Sequence, residues 1–290
     1  EIQHLTTAHH LVYAVDSSAR VCVYRSEPLA DVKKLPNEHF TLAYCTAELP
    51  CATRFGWAGV SVSATKPTQI ATASFWDQRL CVYDEEHLTQ TIGCAHKPTS
   101  VHFSVIDEHS LFYTEGGSIS RIDLRVPKAK TQTLDVCGPQ PLYASAELDT
   151  EILVGGANRS VATVDKRTLK VRTVWKNCVK YDLTGIRRSY EAPDECIVSG
   201  IGGELLRGPF GGVRGLAYQK GFHADSPWIG IAQLPESDTV YGLSSFGTLS
   251  YSATSASFAV PSSHRNTTPS KHSAGRPTSE DQPPLKRVHT

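Results

Sequence analysis

Short runs of apolar residues, each bounded by turn residues, follow one another along most of the chain. The clearest example is residues 99–125, in which the apolar run 101–106, a polar break, the run 111–114, a Gly-Gly turn and a third run come in order. Runs of this length without helical spacing predict short β-strands in an antiparallel meander. A single meander cannot bury both of its faces, so the pattern is stable only if it recurs along the chain.

The meander does recur. Arg20-Val-Cys-Val-Tyr-Arg25 returns as Arg79-Leu-Cys-Val-Tyr-Asp84, and the turns near residues 77, 117, 157, 202 and 246 complete a regular series. Their spacing, about 40 to 45 residues, is that of a four-stranded propeller blade. We therefore predict an all-β propeller of four-stranded antiparallel blades over residues 1–255, with six blades visible. Outer strands are expected near residues 89–93, 131–136, 171–175 and 214–218.

Composition changes near residue 255. Residues 256–290 are rich in Ser, Thr, Pro and Lys and have almost no large apolar side chain, which predicts a disordered tail. The chain starts at Glu1 and contains no Met, so we expect a missing N-terminal segment. If the missing segment supplies a further blade, the ring has seven blades. A ring of six blades is the alternative.

Charge and cysteine content narrow the classes of partner. The 290 residues carry 29 basic and 29 acidic side chains, so no net field favours binding to nucleic acid. No apolar run is long enough to span a membrane. The eight cysteines include no Cys-x-x-Cys pair, which favours free thiols in a reducing compartment, the cytoplasm or the nucleus.

In these features the chain resembles the WD-repeat family of β-propellers. That family places a His before the first strand of a blade, an Asp in the turn before the third strand, and Trp-Asp at the end of that strand. Asp77 matches the turn Asp, His96 matches the His, and three further residues stand at the Trp-Asp position without the Trp. The resemblance implies structural roles within the repeat for Asp77, Asp84, His96, Asp123 and Asp165.

Motifs for catalysis do not emerge from the sequence. The histidines form no metal-binding pair, no Gly-x-Ser-x-Gly motif is present, and the glycine-rich run at 199–203 lacks the Gly-Lys ending of a phosphate loop. We therefore expect no enzyme activity, no cofactor and no metal, and a role as a scaffold or adaptor that binds other proteins or peptides. A propeller enzyme remains the least supported alternative.

Two groups of basic residues are candidates for partner binding. Arg207, Arg214 and Lys220 lie in and around the glycine-rich loops of the fifth blade. Arg125 and Arg167 each end an Asp-x-Arg sequence, one repeat apart. That pair is similar to the Asp-x-Arg boxes of WD-repeat substrate receptors for cullin-RING ubiquitin ligases, which implies a ubiquitin-ligase adaptor as an alternative partner.

Overall fold

A computed structural model describes residues 1–26, 40–47, 56–126, 132–210, 220–234 and 236–252. The predicted disordered tail lies outside the described residues, as do Arg214 and Cys51. All of the assigned elements in the described part are β-strands. Within it, no helix has the length and apolar character needed to cross a bilayer.

The strands form six antiparallel sheets, which we call blades 1 to 6. In the described residues, blades 1 to 5 have four strands each and blade 6 has three. Blade 1 contains β1 (Ile2–Ala8), β2 (Leu11–Asp16), β3 (Val21–Ser26) and β4 (Phe40–Cys45). Blade 2 contains β5 (Ala58–Val62), β6 (Gln69–Ser74), β7 (Arg79–Asp84) and β8 (His87–Gly93). Blade 3 contains β9 (Pro98–Phe103), β10 (Ser110–Glu115), β11 (Ser118–Asp123) and β12 (Gln132–Asp135).

The second half of the chain repeats this plan. Blade 4 contains β13 (Leu142–Glu147), β14 (Glu151–Gly156), β15 (Val161–Asp165) and β16 (Lys170–Trp175). Blade 5 contains β17 (Leu183–Arg188), β18 (Glu195–Gly200), β19 (Glu204–Pro209) and β20 (Lys220–His223). Blade 6 contains β21 (Trp228–Gln233), β22 (Val240–Ser244) and β23 (Leu249–Ser252).

Each blade is a meander in which chain order equals spatial order. Its first strand packs beside the first strand of a neighbouring blade, as β5 does with β9 and β13 with β17. Side-chain bonds join these strands: the Ser100 and Ser145 hydroxyls lie 2.6 Å apart, and the Phe103 N–H donates to Ser61 Oγ at 3.0 Å. The predicted all-β propeller of antiparallel blades is confirmed.

The core lies between the blades. Every residue of β10 is buried, and in β6 only Gln69 is not fully so, because a neighbouring blade covers each face of the sheet. This explains why middle strands read as continuous apolar runs instead of alternating with polar residues. Outer strands such as β8 are largely exposed.

Two predicted strands are displaced. The run 101–106 contains only the end of β9, because the chain turns at Ser104, whose N–H donates to the Ser110 carbonyl at 2.9 Å. Val105 and Ile106 are left exposed at 59% and 66%. In blade 5 the fourth strand is β20, at residues 220–223, later than the predicted 214–218. The other predicted outer strands correspond to β8, β12 and β16.

Candidate binding surfaces

One face of the propeller carries the turns between the second and third strands, together with the segments that lead into the first strands. We call it the turn face. Hydrogen bonds join these parts across blades: the Leu142 N–H donates to the Gly116 carbonyl at 2.7 Å, and the Gly56 N–H to the Ser17 carbonyl at 3.1 Å. The turn face is therefore a continuous surface in which each turn supports the entry of the next blade.

Exposed aromatic side chains are the main feature of the turn face. Trp76 is 42% exposed and Phe246 is 79% exposed. Lys97 holds its ammonium 3.9 Å from the centre of the Trp76 ring, and Phe75 meets that ring edge to face. Tyr181 and Ile201 are exposed in the corresponding positions around blade 5. Ordered aromatic side chains that remain exposed are typical of surfaces that partner proteins cover.

Two buried glutamates stabilise the turn face by accepting hydrogen bonds from the main chain of the segments that lead into their own blades. The sequence analysis did not identify this role. Glu115 accepts the His96 N–H at 2.8 Å and the Tyr113 hydroxyl at 3.1 Å. Glu204 accepts the Lys180 N–H at 3.1 Å. The acidic partner of His96 is therefore Glu115, which binds its main-chain N–H. The signal in the sequence was the glutamate next to the Gly-Gly pairs at 116–117 and 202–203.

The other repeat carboxylates make local bonds. Asp77 accepts from the Ser74 hydroxyl and pairs with Arg79, both at 3.1 Å, within its own turn. Asp84 pairs with Lys66 at 2.7 Å at an exposed position, and this lowers the pKa of Asp84. The first two bonds hold the turn between β6 and β7, and the third joins the end of β7 to the loop before β6. The structural roles that the resemblance implies for these residues stay a prediction.

The opposite face carries the turns that follow the third strands, and it holds both Asp-x-Arg sequences. Asp123 accepts two bonds from the Arg125 guanidinium, at 2.9 Å and 2.7 Å, and a third from the Arg125 N–H at 3.0 Å. These bonds lower the pKa of Asp123 and raise that of Arg125. The Arg125 side chain is still 59% exposed, so its outer edge is available to a partner.

The second Asp-x-Arg sequence differs. Asp165 accepts the Thr168 N–H at 2.8 Å, the Thr168 hydroxyl at 2.9 Å and the Arg167 N–H at 3.0 Å, and it also pairs with Arg172. These donors lower the pKa of Asp165 to about 2. The Arg167 side chain is exposed and makes no ion pair with a described residue. Arg125 and Arg167 thus lie on the same face of the propeller, but only the Arg125 guanidinium is bonded to the Asp of its own Asp-x-Arg sequence.

The basic group of blade 5 is not a surface cluster where the structure describes it. Arg207 is 7% exposed and pairs with Asp238 at 2.9 Å and with Glu195 at 2.6 Å. It joins blade 5 to the loop that precedes β22, so its charge is paired with carboxylates inside the protein. Lys220 is described by its main chain, as the first residue of β20.

A cavity lined by the first strands of the blades is a feature that the sequence did not reveal. Its volume is about 720 Å³, and residues from the first strands of all six blades line it. Among them are His4, His102 and Arg187, with Trp57 and Trp228 in the wall. These residues share no motif, and only the folding of the ring brings them together.

In the part of the chain that the structure describes, no group of three or more His, Cys, Asp or Glu side chains is placed to hold a metal ion. The described cysteines are free, and Cys81, Cys178 and Cys196 are buried. Burial raises the pKa of the Cys178 thiol to about 12. Cys22 and Cys45 lie opposite each other on β3 and β4, with their sulfurs 2.8 Å apart.

Comparison with known proteins gives a structural likeness. No family model matches the chain, and no curated protein matches it in sequence. Among solved structures, the chain is similar to the β-propeller domain of Cps50 (Swd1) from Myceliophteria thermophila, with a TM-score of 0.68. The match covers 87% of this chain and 83% of that one, at 11% identity. The fold of this chain is that of a β-propeller.

Proposed function

We propose that this protein is a non-catalytic scaffold or adaptor that binds other proteins through the faces and loops of its propeller. The exposed aromatic group of the turn face, Trp76 with Lys97 and Phe246, is the observation that carries the proposal. Leaving such side chains in water is unfavourable, and a partner that covers them gains the free energy of their burial. The free thiols support a reducing compartment, the cytoplasm or the nucleus.

Affinity purification of the full chain, read by quantitative mass spectrometry, tests the proposal. Wild-type protein should recover stoichiometric protein partners, and the double variant Trp76→Ser/Phe246→Ser should recover at least one of them about tenfold less well, since a hot-spot aromatic contributes about 2 kcal/mol or more. The matched control is Phe40→Ser/Leu42→Ser, which removes exposed apolar side chains from the outer strand β4. Recovery of no partner by the wild type would contradict the proposal.

A second candidate function is substrate receptor of a cullin-RING ubiquitin ligase. It is favoured by Arg125 and Arg167, which lie on one face, at matching positions of neighbouring blades, and are both exposed. An adaptor with acidic groups at the matching spacing would contact both guanidinium groups. In this version the turn face binds the substrate and the opposite face binds the ligase.

Charge reversal separates the two candidates. If the protein is a ligase receptor, Arg125→Glu/Arg167→Glu should abolish recovery of a ligase adaptor and leave the melting temperature unchanged, because both side chains are exposed. Lys170→Glu, an exposed change of the same sign on neighbouring β16, is the control. Equal adaptor recovery by the double variant and the control rejects the ligase version and leaves the scaffold proposal intact.

A further inference from the structure

A cation without an acidic partner lies in the wall of the cavity lined by the first strands of the blades. Arg187, in β17, donates to its own strand at the Ile186 carbonyl, 2.8 Å away, and to blade 6 at the Ile231 carbonyl, 3.1 Å away. Both acceptors are neutral. Of the described residues that line the cavity, none is Asp or Glu. The guanidinium charge is thus uncompensated, and burial alone lowers the pKa of Arg187.

The two histidines of the cavity do not add permanent charge. Enclosure by the walls, followed by the charge of Arg187, lowers the pKa of His4. His4 Nδ1 accepts the Val60 N–H at 3.3 Å, so the neutral ring carries its proton on Nε2 and can donate there. Burial lowers the pKa of His102 to about 4, with smaller contributions from His4 and Arg187. At neutral pH the cavity therefore holds a single positive charge beside neutral donors.

The remaining wall is a mixture of apolar surface and hydroxyl groups. Trp57, Trp228 and Ile229 line the cavity, and Ile229 is 67% exposed. Thr184 and Ser199 add hydroxyls on blade 5. Apolar walls with a few convergent polar groups are typical of ligand sites of this volume. A ligand with one negative charge and an apolar body would match both parts of the wall.

We propose that this cavity binds an extended segment of a partner protein, with one carboxylate of that segment paired to Arg187. This inference rests on the proposed scaffold function. A carboxylate carries one charge and matches the single guanidinium, whereas a phosphate group carries nearly two and would leave one unpaired. The chain's own residues 256–290 match the apolar wall poorly, because they have almost no large apolar side chain.

The test uses arrays of synthetic peptides in two sets, probed with the full chain. One set has amidated C-termini and a central Glu, and the other has free C-termini and no acidic side chain, so the sets separate side-chain from terminal carboxylates. Peptides that bind the wild type are measured by fluorescence polarisation against Arg187→Gln, which keeps a donor but removes the charge, and Arg187→Lys, which restores it.

The expected result is binding that weakens about tenfold or more in Arg187→Gln and recovers substantially in Arg187→Lys, since a hydrogen bond between charged groups contributes about 1.5 to 3 kcal/mol. Gly230→Glu is a second, independent variant. Gly230 lines the cavity, and a Cβ there would meet nothing within 4 Å, so a side chain can start from this position without a close contact at its Cβ. It should compete with the peptide and weaken binding equally, even if Arg187→Gln proves unstable.

Absence of binding in both peptide sets overturns the inference, and so does binding that is insensitive to both Arg187→Gln and Gly230→Glu. Affinity purification keeps this result separate from the proposed function. If the wild type and Gly230→Glu recover the same partners in the same amounts, the cavity inference fails while the scaffold proposal stands. If the wild type recovers no partner, the scaffold proposal itself fails.

Discussion

At the residue scale, close neighbours restrict which side chain a few positions can hold. Gly117 is the tightest glycine of the turn face: a Cβ there would overlap the Gly138 carbonyl and lie 3.0 Å from the Gln140 carbonyl. Its own carbonyl accepts the Val136 and Cys137 N–H groups. The turn of blade 3 and the loop that leads to blade 4 are therefore packed main chain against main chain.

Gly117→Ala should lower the free energy of unfolding by more than about 2 kcal/mol, because main-chain atoms cannot move aside as a flexible side chain can. Urea denaturation measures the change. Gly93→Ala is the matched control, since a Cβ at Gly93 meets nothing within 4 Å. An equal effect of the two substitutions would show that the close approach at Gly117 does not determine stability.

The buried His102 leads to a prediction about how the free energy of unfolding depends on pH. Its pKa falls from the ordinary 6.5 to about 4 in the folded protein, so between these values the unfolded chain binds a proton that the folded protein does not. The free energy of unfolding should therefore decrease as the pH falls from 6.5 to 4, by at most about 3 kcal/mol from this residue. His102→Gln should flatten the pH dependence, measured by urea denaturation at several pH values.

The control for His102 is His87→Gln, which changes an exposed histidine on the outer strand β8. It should leave the pH dependence between 6.5 and 4 unchanged. A wild-type curve that is level over this range would contradict the burial argument.

At the scale of elements, blades are joined by a few buried polar contacts as well as by apolar packing. The clearest is Asp238, which is fully buried in the loop before β22. It accepts the Ser189 hydroxyl and the Tyr190 N–H, both at 2.6 Å, and pairs with Arg207. Three donors from blade 5 thus converge on one carboxylate from blade 6.

Asp238→Ala should destabilise the fold by about 3 kcal/mol, because it removes one carboxylate from the buried Arg207 and takes the shared acceptor from the Ser189 hydroxyl and the Tyr190 N–H. Asp84→Ala removes a carboxylate that is paired but exposed, and it should cost less than about 1 kcal/mol. Thermal and urea denaturation compare the two variants. Similar losses would mean that Asp238 does not connect the blades as the geometry indicates.

At the scale of the whole molecule, the two faces lie at opposite ends of the same antiparallel sheets. Trp76 follows the second strand of blade 2, whereas Arg167 follows the third strand of blade 4. The blades between them are closely packed and have buried middle strands. A partner on one face is therefore not expected to alter the other face.

Combining Trp76→Ser/Phe246→Ser with Arg167→Glu should remove the partners of each face additively, since distant sites without shared contacts act independently. Quantitative mass spectrometry of the three purified complexes gives the comparison. Loss of opposite-face partners in the turn-face variant alone would show that the faces are coupled and would contradict this expectation.

Much of the architecture was readable from the chain alone. The repeat of short apolar runs and turn residues determined that the protein is an all-β propeller with blades of about 40 residues, because a lone meander has two faces to bury and repeats supply the cover. Asp77 and Asp165 make their bonds to residues a few positions away in the chain, which is the range that a local sequence pattern can describe. Local pattern could not position the end of β9, where Val105 and Ile106 extend an apolar run beyond the strand.

Only the tertiary structure decided which charges are available to partners. Arg207 and Arg167 are equally basic in the sequence, yet Arg207 is buried against Asp238 and Arg167 is exposed. The cavity residues His4 and Arg187 lie far apart in the chain and belong to blades 1 and 5. The reason is physical: the sequence period fixes each blade through contacts between residues close in the chain, whereas burial and charge pairing depend on how different blades pack against one another.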